Sequence, residues 1–173
     1  MGKPSWLPSK RHYAKFMDDE AYRAAREALN HWDIEVTALE AVSMTENIVF
    51  RVEDTAGAKY VFRLHRPGYH PLEDLKSEQL WTQALRQSGI DVPEPVLTRE
   101  GDGYATTDVY GEQRYVGMLK WVDGQTMLSL ISDELDVVVT AHRFFQIGEL
   151  LAQIHNQACH WQPPEDFSRH AFN

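Results

Sequence analysis

The stretch Tyr60-Val61-Phe62-Arg63-Leu64-His65-Arg66-Pro67 decides the fold of this chain. It is rich in β-forming residues, and we predict a buried strand over 59–65 into which Arg63 introduces a cation. A buried charge without a partner costs several kcal/mol, so a partner is expected. Glu78, on a helix predicted over 72–88, is the candidate. The simpler alternative is that Arg63 and Glu78 form a purely structural ion pair, or that they are two unrelated charges in solvent.

The elements around this strand follow from hydrophobic periodicity and turn residues. We predict helices over 18–32, 72–88, 126–131 and 136–159, and strands over 36–42, 47–53, 59–65, 96–98, 104–109 and 113–122. Three successive antiparallel strands form a meander. The order predicts an α+β fold, in which an antiparallel sheet with one packed helix is followed by the start of a helical region.

The same pattern predicts the domain organisation. Residues 1–33 form an N-terminal arm and a helix, with 1–17 as a tail, residues 34–123 form the sheet lobe, and residues 124–173 begin a helical lobe.

Composition narrows the range of functions. The 173 residues carry a formal net charge of −9 with a pI near 5.3, so the surface repels nucleic-acid backbones. No apolar run approaches the ~18–20 residues of a membrane span, and residues 1–15 lack the apolar segment of a signal peptide. The single cysteine, Cys159, allows no internal disulfide and predicts a cytoplasmic protein, with Cys159 as a small buried residue.

Other site chemistries are poorly supported. His65 and His70 are five residues apart, as are His155 and His160, whereas a metal site on a helix favours histidines three or four apart. Surface or capping histidines are the simpler interpretation. The chain has neither the Gly-x-Ser-x-Gly elbow of hydrolases nor the Gly-x-Gly-x-x-Gly loop of dinucleotide sites.

Five short stretches occur in an order that resembles a known family. They are Glu46-Asn47-Ile48-Val49-Phe50-Arg51-Val52, the Arg63 strand itself, Ser77-Glu78, Gly89-Ile90-Asp91-Val92-Pro93-Glu94-Pro95 and Trp121-Val122-Asp123-Gly124. Together they resemble the N-terminal lobe of the aminoglycoside phosphotransferase/choline kinase superfamily, which has a protein-kinase-like fold. The similarity covers roughly residues 35–172 and is closest to homoserine kinase-like members.

This resemblance implies a nucleotide-binding site and ATP with Mg as cofactors. Arg63 stands at the strand position that contacts phosphate, which is usually lysine, and Glu78 orients it. The turn from Ser43 through Thr45 to Asn47 covers the phosphates. Val61 contacts the adenine. The hinge is formed by Lys120, Trp121 and Val122, whose backbone groups pair with the adenine edge.

The chain also departs from the family pattern. The His-Gly-Asp catalytic loop and the downstream Asp that binds magnesium are absent, so we assign no catalytic residue and no metal ligand. Phosphoryl transfer depends on both, and we expect this chain alone to be inactive and to represent a truncated kinase. In the full-length family the acceptor is a hydroxyl of an amino alcohol, a hydroxy amino acid or an aminoglycoside-like molecule. The alternative is a non-catalytic binding or dimerisation module, which pairs with itself or with a complementing helical chain.

Overall fold

The computed structural model describes residues 10–132 and 136–169, with backbone alone for residues 10–18 and 132. The helices are α1 (Lys10–Leu29), α2 (Leu72–Gln87), α3 (Met127–Ser132) and α4 (Val137–His160). The strands are β1 (Val36–Met44), β2 (Ile48–Asp54), β3 (Lys59–Leu64), β4 (Tyr104–Val109) and β5 (Glu112–Lys120). The chain divides into two compact units. The sheet unit holds the described residues up to Leu72 together with Pro95–Trp121, and the helical unit holds the rest.

The sheet unit is one five-stranded antiparallel sheet in the order β1-β2-β3-β5-β4. The first three strands form the predicted meander, because tight turns join them. The β2–β3 turn is fixed by Asp54, whose Oδ1 accepts hydrogen bonds from the N–H groups of Ala56 and Ala58, both at 2.9 Å. Strand β5 then inserts between β3 and β4, which makes β3 the central strand.

One face of this sheet is covered by α1. Ala21, Ala24, Ala25 and Ala28 of α1 are fully buried, since their small side chains let the helix approach the sheet closely. Trp32, just beyond the helix, is also fully buried; its ring packs edge-on against Phe62 at 5.3 Å between centroids. The indole Nε1–H donates to the carbonyl of Val96 at 2.8 Å, so this buried polar group is satisfied.

Helix α1 also stabilises the edge strand. Strand β1 has two register shifts along β2, one of them between Ala41 and Ser43. The hydroxyl of Tyr22 accepts a hydrogen bond from the Ala41 N–H at 3.0 Å, and its ring packs edge-on against Phe50 at 5.0 Å. An α1 side chain therefore pairs a backbone group beside the bulge.

The helical unit contains α2, α3 and α4. Helix α2 ends in a Schellman motif, in which Gly89 has a φ of +83° and the Ile90 N–H donates to the Leu85 carbonyl at 3.0 Å. Helix α4 begins at an N-cap, where the Asp136 side chain accepts from the Val138 N–H at 2.7 Å. The two longer helices are linked by the Trp81 indole, which donates to Gln157 Oε1 at 3.1 Å.

The α+β class and the antiparallel sheet are confirmed, and several details are corrected. Residues 10–17, predicted as part of a tail, belong to α1, while the rest of that tail lies outside the described residues. The strand predicted over 96–98 is only an isolated bridge between Pro95 and Leu119, because prolines at 93 and 95 have no N–H to donate. Cys159, predicted to be buried, is exposed.

In the part of the chain that the structure describes, no helix is both long and apolar enough to cross a membrane.

Candidate functional site

Alternation along β3 separates the two faces of the sheet. Phe62 and Leu64 are fully buried on the face that α1 covers. Because successive strand residues point to opposite faces, Val61 and Arg63 belong to the other face, and Arg63 is exposed. The central strand of the sheet thus presents a guanidinium on the face opposite the core. Arg63 lies on a strand, as the sequence predicted, but on the exposed face of the sheet and not at a buried position.

The neighbours of Arg63 across the sheet are small or apolar. Its register partners are Val49 on β2 and Gly117 on β5, and Val61 lies opposite Leu119. Gly117 leaves room beside Arg63 that the ring of Tyr104 fills: a Cβ at position 117 would lie 2.7 Å from Tyr104 Cε1. The register partners of Arg63 are therefore small or apolar, and an aromatic ring lies beside it.

The predicted phosphate-covering turn connects β1 and β2. Within it, the Thr45 N–H donates to the Asn47 carbonyl at 3.3 Å, and the hydroxyls of Ser43 and Thr45 lie 3.4 Å apart. The Asn47 side-chain Oδ1 accepts from the Arg66 N–H at 2.9 Å, which ties the turn to the residues after β3. Asn47 thus has an evident structural role, and its contact with a phosphate stays a prediction.

The predicted hinge begins in the sheet unit. The Trp121 N–H donates to the Lys59 carbonyl at 2.9 Å, so this amide extends the pairing of β5 with β3 and is engaged within the sheet. Lys120 is the last residue of β5, and Val122 is exposed in the helical unit. The Trp121 N–H therefore already has a partner within the sheet, which an adenine would have to displace.

Glu78 has a partner that the sequence did not predict. Arg169 Nη1 lies 3.3 Å from Glu78 Oε2 and also donates to the Asp74 carbonyl at 3.3 Å. The Ser168 N–H donates to the hydroxyl of the buried Ser77 at 2.8 Å, which docks this segment on α2. Arg63 belongs to the sheet unit and Glu78 to the helical unit, so their pairing stays a prediction.

His65 differs from the predicted surface histidine, because it is half-buried at the end of β3. Its ring packs edge-on against Tyr104 at 5.6 Å between centroids, and its backbone N–H donates to the Tyr115 carbonyl at 2.8 Å. Burial, followed by the positive charges of Arg63 and His70, lowers the pKa of His65 to about 4. The imidazole is therefore neutral at neutral pH, and it adds no second cation beside Arg63.

Arg114 is a residue of this region that the sequence analysis missed. It lies on β5, and its Nη1 donates to the Glu46 carbonyl at 3.0 Å and to the His65 carbonyl at 3.5 Å. No local signal marks it, since Arg114 follows the polar residues Glu112 and Gln113 at the start of β5 and so resembles an ordinary surface residue.

Neither a metal site nor its ligands can be assigned. Over residues 10–132 and 136–169, no group of three or more His, Cys, Asp or Glu side chains is placed to hold a metal ion. An exposed guanidinium beside apolar groups makes this sheet face chemically suited to a nucleotide. The described residues, however, offer no set of carboxylates for Mg.

Comparison with known proteins identifies the family. A model of the phosphotransferase enzyme family matches residues 38–173, which is most of the chain, and the chain belongs to this family. No curated protein sequence matches it.

Two solved structures share the fold. A microcompartment-associated aminopropanol kinase has 26% identity and a TM-score of 0.71, over 88% of this chain and 45% of that one. An amicoumacin kinase in complex with AMP-PNP, Ca2+ and Ami has 18% identity and a TM-score of 0.69, over 92% of this chain and 46% of that one. The predicted kinase-like fold is confirmed, and the chain spans less than half the length of both kinases.

Proposed function

We propose that this chain is the ATP-binding portion of a small-molecule phosphotransferase, with the nucleotide on the sheet face that carries Val61 and Arg63. The observation that carries the proposal is the exposed Arg63 in the central strand, on the face that α1 leaves uncovered. A guanidinium there can neutralise phosphate charge, and the apolar surface of Val61 and Leu119 suits a purine.

The family supports the same assignment. Membership in the phosphotransferase enzyme family favours a nucleotide as one ligand. The aminopropanol kinase supports an amino alcohol hydroxyl as the acceptor class, with hydroxy amino acids and aminoglycoside-like molecules as the wider range. ATP with Mg is the expected cofactor pair. When bound, the metal would neutralise charge on the phosphates; no residue of the described chain is assigned to hold it.

We further propose that the chain is inactive by itself. The motifs expected to supply the catalytic base and the metal ligands are missing from its sequence. Full activity would require the remaining helical lobe of the kinase fold, supplied with this chain or by a complementing one. The protein is proposed to be cytoplasmic and to bind neither nucleic acid nor membranes.

Thermal unfolding with millimolar AMP-PNP and Mg tests nucleotide binding. A ligand that binds only the folded state raises Tm, and a concentration 100 times Kd stabilises by about 2.7 kcal/mol. We expect a rise in wild-type Tm that Arg63→Ala abolishes. Lys59→Ala is the matched control, because it removes a cation from the same face of β3, about 13 Å away at 3.3 Å per residue. Absence of a shift in the wild type would refute nucleotide binding.

A second function is favoured by α4. This 24-residue helix has no buried residue, and several of its large apolar side chains are exposed, including Phe144 at 56% and Phe145 at 62%. Apolar patches of this kind mark surfaces that pack against further protein. A non-catalytic binding or dimerisation module is therefore the alternative function.

Light scattering after size exclusion separates the two functions. A concentration-dependent dimer that Phe144→Ser dissolves, together with no response to AMP-PNP, would favour the module. Ser129→Ala, at an exposed position on α3, is the control substitution. A monomer with a nucleotide-dependent Tm would favour the phosphotransferase portion.

A further inference from the structure

The turn over residues 43–47 holds its own shape weakly. It contains no glycine, and its internal bonds are long: 3.3 Å from the Thr45 N–H to the Asn47 carbonyl, and 3.4 Å from the Thr45 hydroxyl to the same oxygen. Both lie beyond the 2.7–3.2 Å range of strong N–H···O bonds. The pairing of Met44 with Ile48 closes the base of the turn, and contacts from outside the turn add to these weak internal bonds.

Better bonds reach the turn from two arginines. Arg114 Nη1 donates to the Glu46 carbonyl at 3.0 Å. The Arg66 N–H donates to Asn47 Oδ1 at 2.9 Å, and the Arg66 guanidinium lies 3.0 Å from the Glu46 carboxylate. The Arg66–Glu46 pair is largely exposed, so solvent and salt weaken it. Arg114 is less exposed, and its guanidinium bridges two backbone carbonyls, one in the turn and one at His65.

Arg114 is poorly explained as a stabiliser of the fold. Its Nε is buried and has no hydrogen-bond partner among the residues that the structure describes. Burial lowers the pKa of its guanidinium, which means that the charged form is less well solvated here than in water. A partly buried charged group with an unpaired N–H costs free energy, and its replacement by an apolar side chain can be close to neutral. What this side chain does provide is a fixed distance between the turn and the end of β3.

We propose that Arg114 is a positioning residue, which holds the Glu46 carbonyl and thereby keeps the 43–47 turn in the conformation that covers the nucleotide phosphates. The proposal rests on the proposed function, because the turn matters only if it covers a nucleotide. The rigidity of the turn can be measured without a nucleotide. Arg114 reaches the turn through the Glu46 carbonyl oxygen, and its proposed role requires no contact with the nucleotide.

The test compares Arg114→Met and Arg114→Lys with wild type in the full chain. Three quantities are measured: Tm without ligand, hydrogen exchange of the amides of residues 45–47, and the Kd for AMP-PNP with Mg by calorimetry. We expect the Tm of Arg114→Met to stay within about 3 °C of wild type, because the lost bonds are offset by the relieved buried charge. The amide exchange rates in the turn should rise about tenfold, and the Kd for AMP-PNP should increase by a similar factor, as expected for one lost charge-assisted hydrogen bond. Arg114→Lys keeps a hydrogen-bond donor, so its exchange rates and its Kd should lie between those of Arg114→Met and wild type.

Arg99→Met is the control, since it removes an exposed arginine from the sheet unit whose contact with Asp33 is a loose 3.8 Å. Unchanged exchange in Arg114→Met would overturn the proposal. So would a fall in Tm of more than about 5 °C with uniform loss of protection, because Arg114 would then stabilise the fold as a whole. If wild type binds no AMP-PNP, the proposed function fails, while the exchange measurement still decides whether Arg114 rigidifies the turn.

Discussion

The ring of Tyr104 lies directly over the α-carbon of Gly117, so that a Cβ at position 117 would stand 2.7 Å from Tyr104 Cε1 and 3.0 Å from Cδ1. Gly117 is also the register partner of Arg63 across β3 and β5. The same ring packs edge-on against His65. One close approach between two residues therefore sets the surroundings of the cation that we propose contacts phosphate.

Gly117→Ala should destabilise the protein by about 1–3 kcal/mol, because the aromatic ring must shift to admit the methyl group. Thermal or urea unfolding measures this loss. In a Tyr104→Ala background the same substitution should cost far less, which gives a coupling energy between the two sites. Gly124→Ala is the control, since a Cβ there meets nothing within 4 Å. An equal cost of Gly117→Ala in both backgrounds would contradict the contact.

His65 should make stability fall as the pH is lowered from about 6.5 to about 4. The unfolded chain binds a proton on this histidine near pH 6.5. The folded chain binds it only near pH 4, because burial and the adjacent charges of Arg63 and His70 disfavour the imidazolium. Between these values the unfolded state holds more protons, so stability is lost as the pH falls through this window, by about 3 kcal/mol in total.

The pH dependence of unfolding in wild type and His65→Gln checks this expectation. The variant should lack the loss between pH 6.5 and 4, while losses below pH 4 from carboxylates should remain in both proteins. His142→Gln, at an exposed histidine, should keep the wild-type profile. Parallel profiles for wild type and His65→Gln would show that His65 titrates normally.

The sequence identified the elements of the sheet well, because alternation and turn residues are local signals. The residues from Asp54 to Gly57 mark the β2–β3 turn. Arg63, by contrast, was expected as a charge within a buried strand, whereas it is exposed on the face opposite Phe62 and Leu64.

Other features depend on residues far apart in sequence, and no local pattern encodes them. Glu78 has Arg169 as a partner, ninety-one positions further along the chain, while its pairing with Arg63 stays a prediction. Arg114 and Glu46 are likewise 68 positions apart. Cys159 was expected to be buried because cysteines usually are, whereas α4 has no buried residue in this structure.

Glu78 and Arg169 allow two roles of Glu78 to be distinguished. Both side chains are substantially exposed, at 50% and 39%, so the pair itself should contribute at most about 1 kcal/mol. If Glu78 also orients Arg63 in the nucleotide-bound protein, Glu78→Gln should weaken AMP-PNP binding while Arg169→Gln leaves it unchanged. Calorimetric titration of both variants decides this. Equal affinities for wild type and Glu78→Gln would restrict Glu78 to its contact with Arg169.

Trp32 should be among the residues whose loss most destabilises the sheet unit. Its ring is fully buried against Phe62, and its Nε1–H donates to the Val96 carbonyl at 2.8 Å. The segment before Val96 contains Pro93 and Pro95, which have no N–H and donate no backbone hydrogen bond. The indole of Trp32 therefore helps to anchor this proline-containing segment. Trp32→Phe removes the donor and part of the ring, and the cavity together with the unpaired carbonyl should cost about 2–4 kcal/mol.

Urea unfolding followed by far-UV circular dichroism measures this loss without relying on tryptophan fluorescence. Hydrogen exchange should also rise at the Val96 amide, which donates to the Met118 carbonyl at 2.9 Å. Trp161→Phe is the control, because that ring is only half-buried and packs on Phe167 in the helical unit. If Trp32→Phe and Trp161→Phe destabilise equally and the Val96 amide stays protected, the hydrogen bond from Trp32 does not anchor the proline-containing segment.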